Sequence, residues 1–198
     1  MERIRAFIAI EMTDAVRAAL SAFLNELRPK EHPYVKWVDP TGVHLTLKFL
    51  GNIAPNQVAS IEKAILQGAR DVPSFKLGLG QRGAFPNVTR PRVIWVGLTG
   101  ELERLGRLQA GIEQALVPLG FPAESRPFSP HLTLGRLRDG ASPAEQKQIG
   151  NLVAASQSRA TAAMEVVEVS LMRSTLTPQG ALYSRLASIR LEALKNQG

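Results

Sequence analysis

Apolar residues alternate loosely over residues 4–10, which predicts a strand. The period then changes. Val16, Leu20, Phe23, Leu24 and Leu27 recur at helical spacing up to Arg28, with Thr13 as an N-cap, Asp14 in the first turn and Pro29 as a stop. Residues 34–38 and 43–50 read as strands parted by the turn signal Asp39-Pro40-Thr41-Gly42. Pro55 opens a second helix with Val58, Ile61 and Ile65 on one face. Strand formers fill 74–81 and 92–98, and Gly83 to Pro91, with two prolines, reads as a loop. Leu102, Leu105, Leu108, Ile112 and Leu116 predict a third helix, and residues 131–137 a strand. Ser142-Pro143 with Glu145 caps a fourth helix running to about Ala155. Residues 164–173 and 182–190 close the chain as two strands joined by a turn at Thr177-Pro178-Gln179-Gly180.

Hairpin-length links with helices inserted between strands predict an α+β fold with mostly antiparallel sheet. The 198 residues, 44% of them hydrophobic, suffice for one substantial domain or two small lobes sharing a core. No Gly-x-Gly-x-x-Gly follows a strand and no Gly-Lys-Ser/Thr is present, which excludes those two ways of cradling a nucleotide. Cysteine is absent, so disulfides, thiolate metal sites and a cysteine nucleophile are excluded. The apolar run Phe7 to Ile10 is too short for a signal-peptide core, and nowhere do 18 apolar residues follow one another. A cytoplasmic protein without a membrane span is expected. The net charge of +7 favours an anionic partner, nucleic acid above all, although a basic surface that merely solvates the protein gives the same count.

One long-range repeat changes the picture. His44-Leu45-Thr46-Leu47 returns as His131-Leu132-Thr133-Leu134, in a chain with only three His and nine Thr. In a strand, residues i and i+2 share a face. Each unit therefore offers one imidazole and one hydroxyl on one wall, with the leucines packed behind. Two such walls facing each other suit displacement at phosphorus. One imidazole would take a proton from water, the other would protonate the departing oxygen, and the hydroxyls would bind phosphoryl oxygens. The two motifs are chemically equivalent, so spacing alone does not say which histidine is acid and which is base. A metal site on the histidine pair would need a third ligand, and neither motif carries one at ligand spacing. His32, before Pro33, reads as a surface residue.

Among secondary candidates, strand parity puts Lys48 on the His44 face, within reach of a phosphate. Arg136 falls opposite His131 in an ideal strand, and Gly135 offers a bulge that would re-aim it. Tyr183, Phe85 and Trp95 are candidate base-stacking aromatics, or core.

At these residues the sequence resembles the 2H phosphoesterases. Val43-His44-Leu45-Thr46-Leu47-Lys48-Phe49-Leu50-Gly51 and Ser129-Pro130-His131-Leu132-Thr133-Leu134-Gly135-Arg136 look like the LigT-like branch, the RNA 2′,3′-cyclic phosphodiesterases once called 2′-5′ RNA ligases. Arg5 to Ile10, Pro91 to Leu98, and Ser174-Thr175-Leu176 with Gly180 to Tyr183 resemble further parts of that branch, so the likeness covers nearly the whole chain. It implies one domain over 1–198, made of two interleaved, pseudo-symmetric lobes of antiparallel sheet with outer helices and a central cleft. It implies hydrolysis of a terminal 2′,3′-cyclic phosphate on RNA to a 2′-phosphate, without metal or other cofactor. His44 would be the proton donor and His131 the acceptor, with Thr46 and Thr133 on the phosphate; Lys48, Arg136 and Tyr183 are possible substrate contacts. Substrates would be RNA ends, including tRNA fragments or small cyclic nucleotides, acted on by a monomer. Two other readings stay open: a 2′-5′ RNA ligase using the same site, and a non-catalytic RNA-binding module.

Overall fold

A computed structural model of the 198-residue chain describes residues 3–28, 34–155, 162–178 and 180–192. His32, Pro29 and Gln179 lie outside the described residues. The first sheet joins β3 (His44–Ile53), β1 (Ile4–Glu11), β8 (Glu168–Thr177) and β9 (Gly180–Arg190), in that order. The second joins β2 (Val35–Trp37), β6 (His131–Leu137), β5 (Val93–Gly100), β4 (Phe75–Phe85) and β7 (Ala163–Val166). Every pairing within both sheets is antiparallel. The expected α+β class holds.

Among the described residues four α-helices cover the sheets: α1 (Asp14–Leu27), α2 (Val58–Ala69), α3 (Leu102–Leu116) and α4 (Pro143–Ala155). The predicted caps form. The Thr13 side chain accepts from the Val16 N–H at 3.4 Å. Ser142 and Glu145 close a capping box, the Glu145 carboxylate accepting from the Ser142 N–H at 2.6 Å and the Ser142 hydroxyl accepting from the Glu145 N–H at 3.3 Å. Although α1 follows a strand of the first sheet, it packs on the second. Phe23 lies under the Arg82 guanidinium of β4, 4.0 Å from the ring centre, and Arg82 also bonds Glu26 at 3.0 Å. Helices α2 and α3 lie against each other on the first sheet, meeting where Gly68 and Gly111 let the backbones touch. A methyl group on either glycine would collide with the other helix's backbone.

The leucines of both repeats, Leu45, Leu47, Leu132 and Leu134, are buried in the core that joins these layers. Burial of each such side chain contributes about 1.5–3 kcal/mol, so the apolar half of each motif anchors the strand that presents the polar half.

Two expected boundaries were displaced. The segment from Gly83 was read as loop because of its prolines, but β4 continues through Phe85, where the ladder to β5 pairs Gly83 with Trp95 and Phe85 with Val93. Residues 164–173, read as one strand, are two: β7 ends at Val166 in the second sheet and β8 begins at Glu168 in the first. An unbroken stretch of strand formers does not show where a chain changes sheets.

Candidate active site

Strands β3 and β6 approach each other between the sheets. The cleft there has a volume of about 1290 Å³ and is lined by His44, Thr46, His131 and Thr133 together.

The two histidines are held alike. The carbonyl two residues earlier, Gly42 for His44 and Ser129 for His131, lies 2.9 and 2.7 Å from Nδ1. A carbonyl can only accept, so each Nδ1 carries a hydrogen, and Nε2 is the nitrogen left to exchange a proton. The 3₁₀ turn Pro40–Gly42 fixes the first of these carbonyls. Asp39 begins it by accepting from the Thr41 N–H at 2.9 Å and from the Thr41 hydroxyl at 2.8 Å, the turn that the sequence signalled.

Aromatic rings flank each imidazole. Phe7 stacks on His44 with centres 4.5 Å apart, and Tyr183 meets it edge-on at 4.9 Å. Phe85 meets His131 edge-on at 4.9 Å, with Trp95 at 6.5 Å. Tyr183 and Phe85 line the cleft. Trp95 lies over Gly83, and its indole N–H is buried without a partner among the described residues. Phe7 was placed in a strand by its pattern but not in the site. Its signal was parity, which sets Phe7 and Glu11 on one face of β1.

Glu11 sits directly across the ladder from His44. Burial alone would raise its carboxyl. Hydrogen bonds from the Ser170 hydroxyl at 2.6 Å and from Arg185 at 2.8 Å prevail, together with the charges of Arg185 and Arg17, and hold it below the usual range. Desolvation pushes His44 below its ordinary value of 6.5, while the hydrogen bond to Gly42 and the charge of Glu11 partly offset it.

The fourth position of each motif departs from ideal strand geometry. Along β1–β3 the register runs Ala9 to Thr46 and then Ile8 to Lys48, so Leu47 is bulged. Along β5–β6 it runs Trp95 to Thr133 and then Ile94 to Gly135, so Leu134 is bulged. Each extra residue reverses the alternation beyond it. The expectation that Lys48 shares the His44 face is therefore corrected. Lys48 lies opposite the buried Ile8, its side chain is 3% exposed, and its ammonium bonds Glu113 at 2.7 Å and the Pro122 carbonyl at 2.6 Å. Phe49 takes the cleft-facing place instead. By the same device Arg136 turns onto the His131 face, as the bulge reading allowed, and lines the cleft. Arg92 and Arg126 also line the cleft, and Arg5 of β1 lines it from the first sheet. Among the described residues no group of three or more His, Asp or Glu is placed to hold a metal ion.

Comparison with known proteins agrees with this fold. The sequence model of the 2′-5′ RNA ligase superfamily matches residues 16–177. An RNA 2′,3′-cyclic phosphodiesterase of Methanothermobacter thermautotrophicus is 32% identical over 189 residues, covering 96% of this chain and all of the relative. A crystal structure from Thermus thermophilus superposes with a TM-score of 0.76 at 28% identity, over 97% of this chain and 100% of that one. Escherichia coli LigT, solved with 3′-AMP, gives 0.72 at 24% identity over 96% and 99%, a likeness that speaks to the fold alone.

Proposed function

The chain belongs to the 2′-5′ RNA ligase superfamily, and on that premise we propose that it hydrolyses a 2′,3′-cyclic phosphate at the end of an RNA to a 2′-phosphomonoester. One observation carries the reading: two His-Leu-Thr-Leu strands face a single cleft, and each imidazole is oriented through Nδ1 by the carbonyl two residues back.

In this reaction His131 Nε2 accepts a proton as water attacks phosphorus. The new P–O bond forms as the bond to the 3′ oxygen breaks. His44 Nε2 donates its proton to that oxygen, leaving a 3′ hydroxyl. Thr46 and Thr133 hydroxyls donate to the two non-bridging oxygens, where negative charge grows in the transition state. A His44 imidazolium depressed by desolvation releases its proton readily. The anionic phosphate, once bound, favours the charged form and loads the proton before the chemical step. Hydroxyls and imidazolium supply the charge stabilisation, so a divalent ion has no step to perform.

The test is one substrate, an RNA oligonucleotide ending in a 2′,3′-cyclic phosphate, incubated with excess chelator. The expected product is the 2′-phosphate, formed at an undiminished rate. Joining to a 5′ hydroxyl RNA in place of hydrolysis would favour the ligase reading, and binding without turnover would favour a non-catalytic one.

A further inference from the structure

The bulge at Leu47 buries a lysine that the catalytic scheme does not use. Lys48 borders the cleft, yet its ammonium is buried and gives its hydrogens to α3 and to the segment that leads into the other motif. Its Nζ bonds Glu113 Oε1 of α3 at 2.7 Å and the Pro122 carbonyl at 2.6 Å, with Glu124 Oε1 at 3.7 Å. Glu113 is the hub on the far side. It also accepts from the Glu124 N–H at 2.9 Å and from the Gln109 amide at 3.3 Å. These bonds outweigh burial and hold the Glu113 carboxyl below its usual range.

No helix or strand forms between Leu119 and His131. Residues 121–130 thus have no ladder to fix them and depend on side-chain anchors. That segment supplies Arg126 and Phe128 to the cleft wall, and Ser129, whose carbonyl orients His131.

We propose that Lys48, paired with Glu113, is a positioning residue that pins residues 121–130 to the first motif strand and so holds Arg126 and Phe128 against the substrate. The proposal rests on the hydrolase reading for its kinetic consequence but not for the anchor itself. A buried pair that loses one partner is strongly destabilising, whereas replacing both by apolar groups of similar volume is often neutral. That difference separates positioning from stability.

The experiment compares the whole protein with Lys48→Met and with Lys48→Met/Glu113→Leu. It reads melting temperature, hydrogen exchange of peptides covering 121–130, and kcat and KM on a cyclic-phosphate RNA oligonucleotide. The double variant should melt near the unaltered protein, yet exchange faster in 121–130. Its KM should rise by roughly tenfold with kcat changed much less, the signature of a contact made equally in the ground and transition states. Partial unfolding would instead lower kcat in proportion and leave KM alone. The proposal is overturned by unchanged exchange in 121–130, whether or not activity falls, since activity lost with the segment still held would mean that Lys48 touches substrate. It is also overturned by faster exchange with unaltered KM. Should the unaltered protein fail to turn over the substrate, the hydrolase reading fails while the exchange measurement still decides the anchor.

Discussion

Arg136 occupies in the second sheet the place that Phe49 occupies in the first. Each follows its histidine by five residues, lies beyond a bulged leucine, and faces the cleft. The two halves of the cleft repeat their backbone and diverge in chemistry. Around that position the first half is apolar: Phe49 is 62% exposed, and Tyr183 and Leu176 line the same side, while Arg5 of β1 lines the cleft as well. The second half is cationic, with Arg136 and Arg92. A site with matched proton carriers thus differs at this one pair of matching positions.

Gly135, next to the bulged Leu134, lets β2 pack closely on β6. A Cβ there would stand 2.9 Å from Trp37 Cε3 and 3.1 Å from Val35 Cγ1, both on β2. Gly135→Ala should therefore force β2 outward and cost roughly 1–3 kcal/mol, typical of overpacking. A denaturant titration measures it. An unchanged midpoint would mean that β2 shifts freely and that the glycine is not required.

Thr46 and Thr133 test the phosphate contacts. Valine keeps the β-branched shape and removes the hydroxyl. Each Thr→Val should lose one hydrogen bond to a charged group, about 1.5–3 kcal/mol, or roughly 10–150-fold in rate. Melting temperature and the shape of the pH profile should stay as they are. A folded double Val variant with full turnover would show that the hydroxyls serve only strand packing.

Glu11 offers a handle on His44 alone. Its carboxylate favours the imidazolium, so Glu11→Gln should lower the His44 pKa further. In a bell-shaped profile of kcat/KM, the limb that belongs to His44 should move to lower pH while the other stays. Stability follows the same sign. With the His44 pKa already below 6.5, the folded state binds fewer protons than the unfolded one between those values. Stability therefore falls as pH drops through that window, and the fall should extend further in the variant. A limb moving to higher pH would contradict the electrostatic account.

Most of the fold was legible in the sequence because its signals were local. Thr13, Asp39 and Ser142 with Glu145 each announced an element end by hydrogen bonds to backbone a few residues away. The four motif residues were legible because strand parity is reliable for three positions. It held for the leucine at the fourth and failed beyond it, at Lys48. A bulge is decided with the neighbouring strand's register: Gly135 hinted at the one that turns Arg136 to the cleft, while nothing local announced the one that buries the Lys48 ammonium. The change of sheet at Val167 and the stacking of Phe7 on His44 are likewise facts of tertiary pairing. Glu113 gave no signal at all, being one exposed-looking acid in an amphipathic helix.

The division of labour between the histidines is the central claim, and a leaving-group experiment tests it most directly. His44→Ala and His131→Ala are each assayed on the cyclic phosphate and on an analogue whose bridging 3′ oxygen is sulfur. On the oxygen substrate each variant should lose roughly 10²–10⁴-fold, the usual contribution of a positioned proton carrier. A thiolate departs without a proton, so the sulfur substrate should restore most of the rate to His44→Ala and little to His131→Ala. Restoration of His131→Ala in place of His44→Ala would reverse the roles, and full activity of either variant on the oxygen substrate would contradict the two-histidine mechanism.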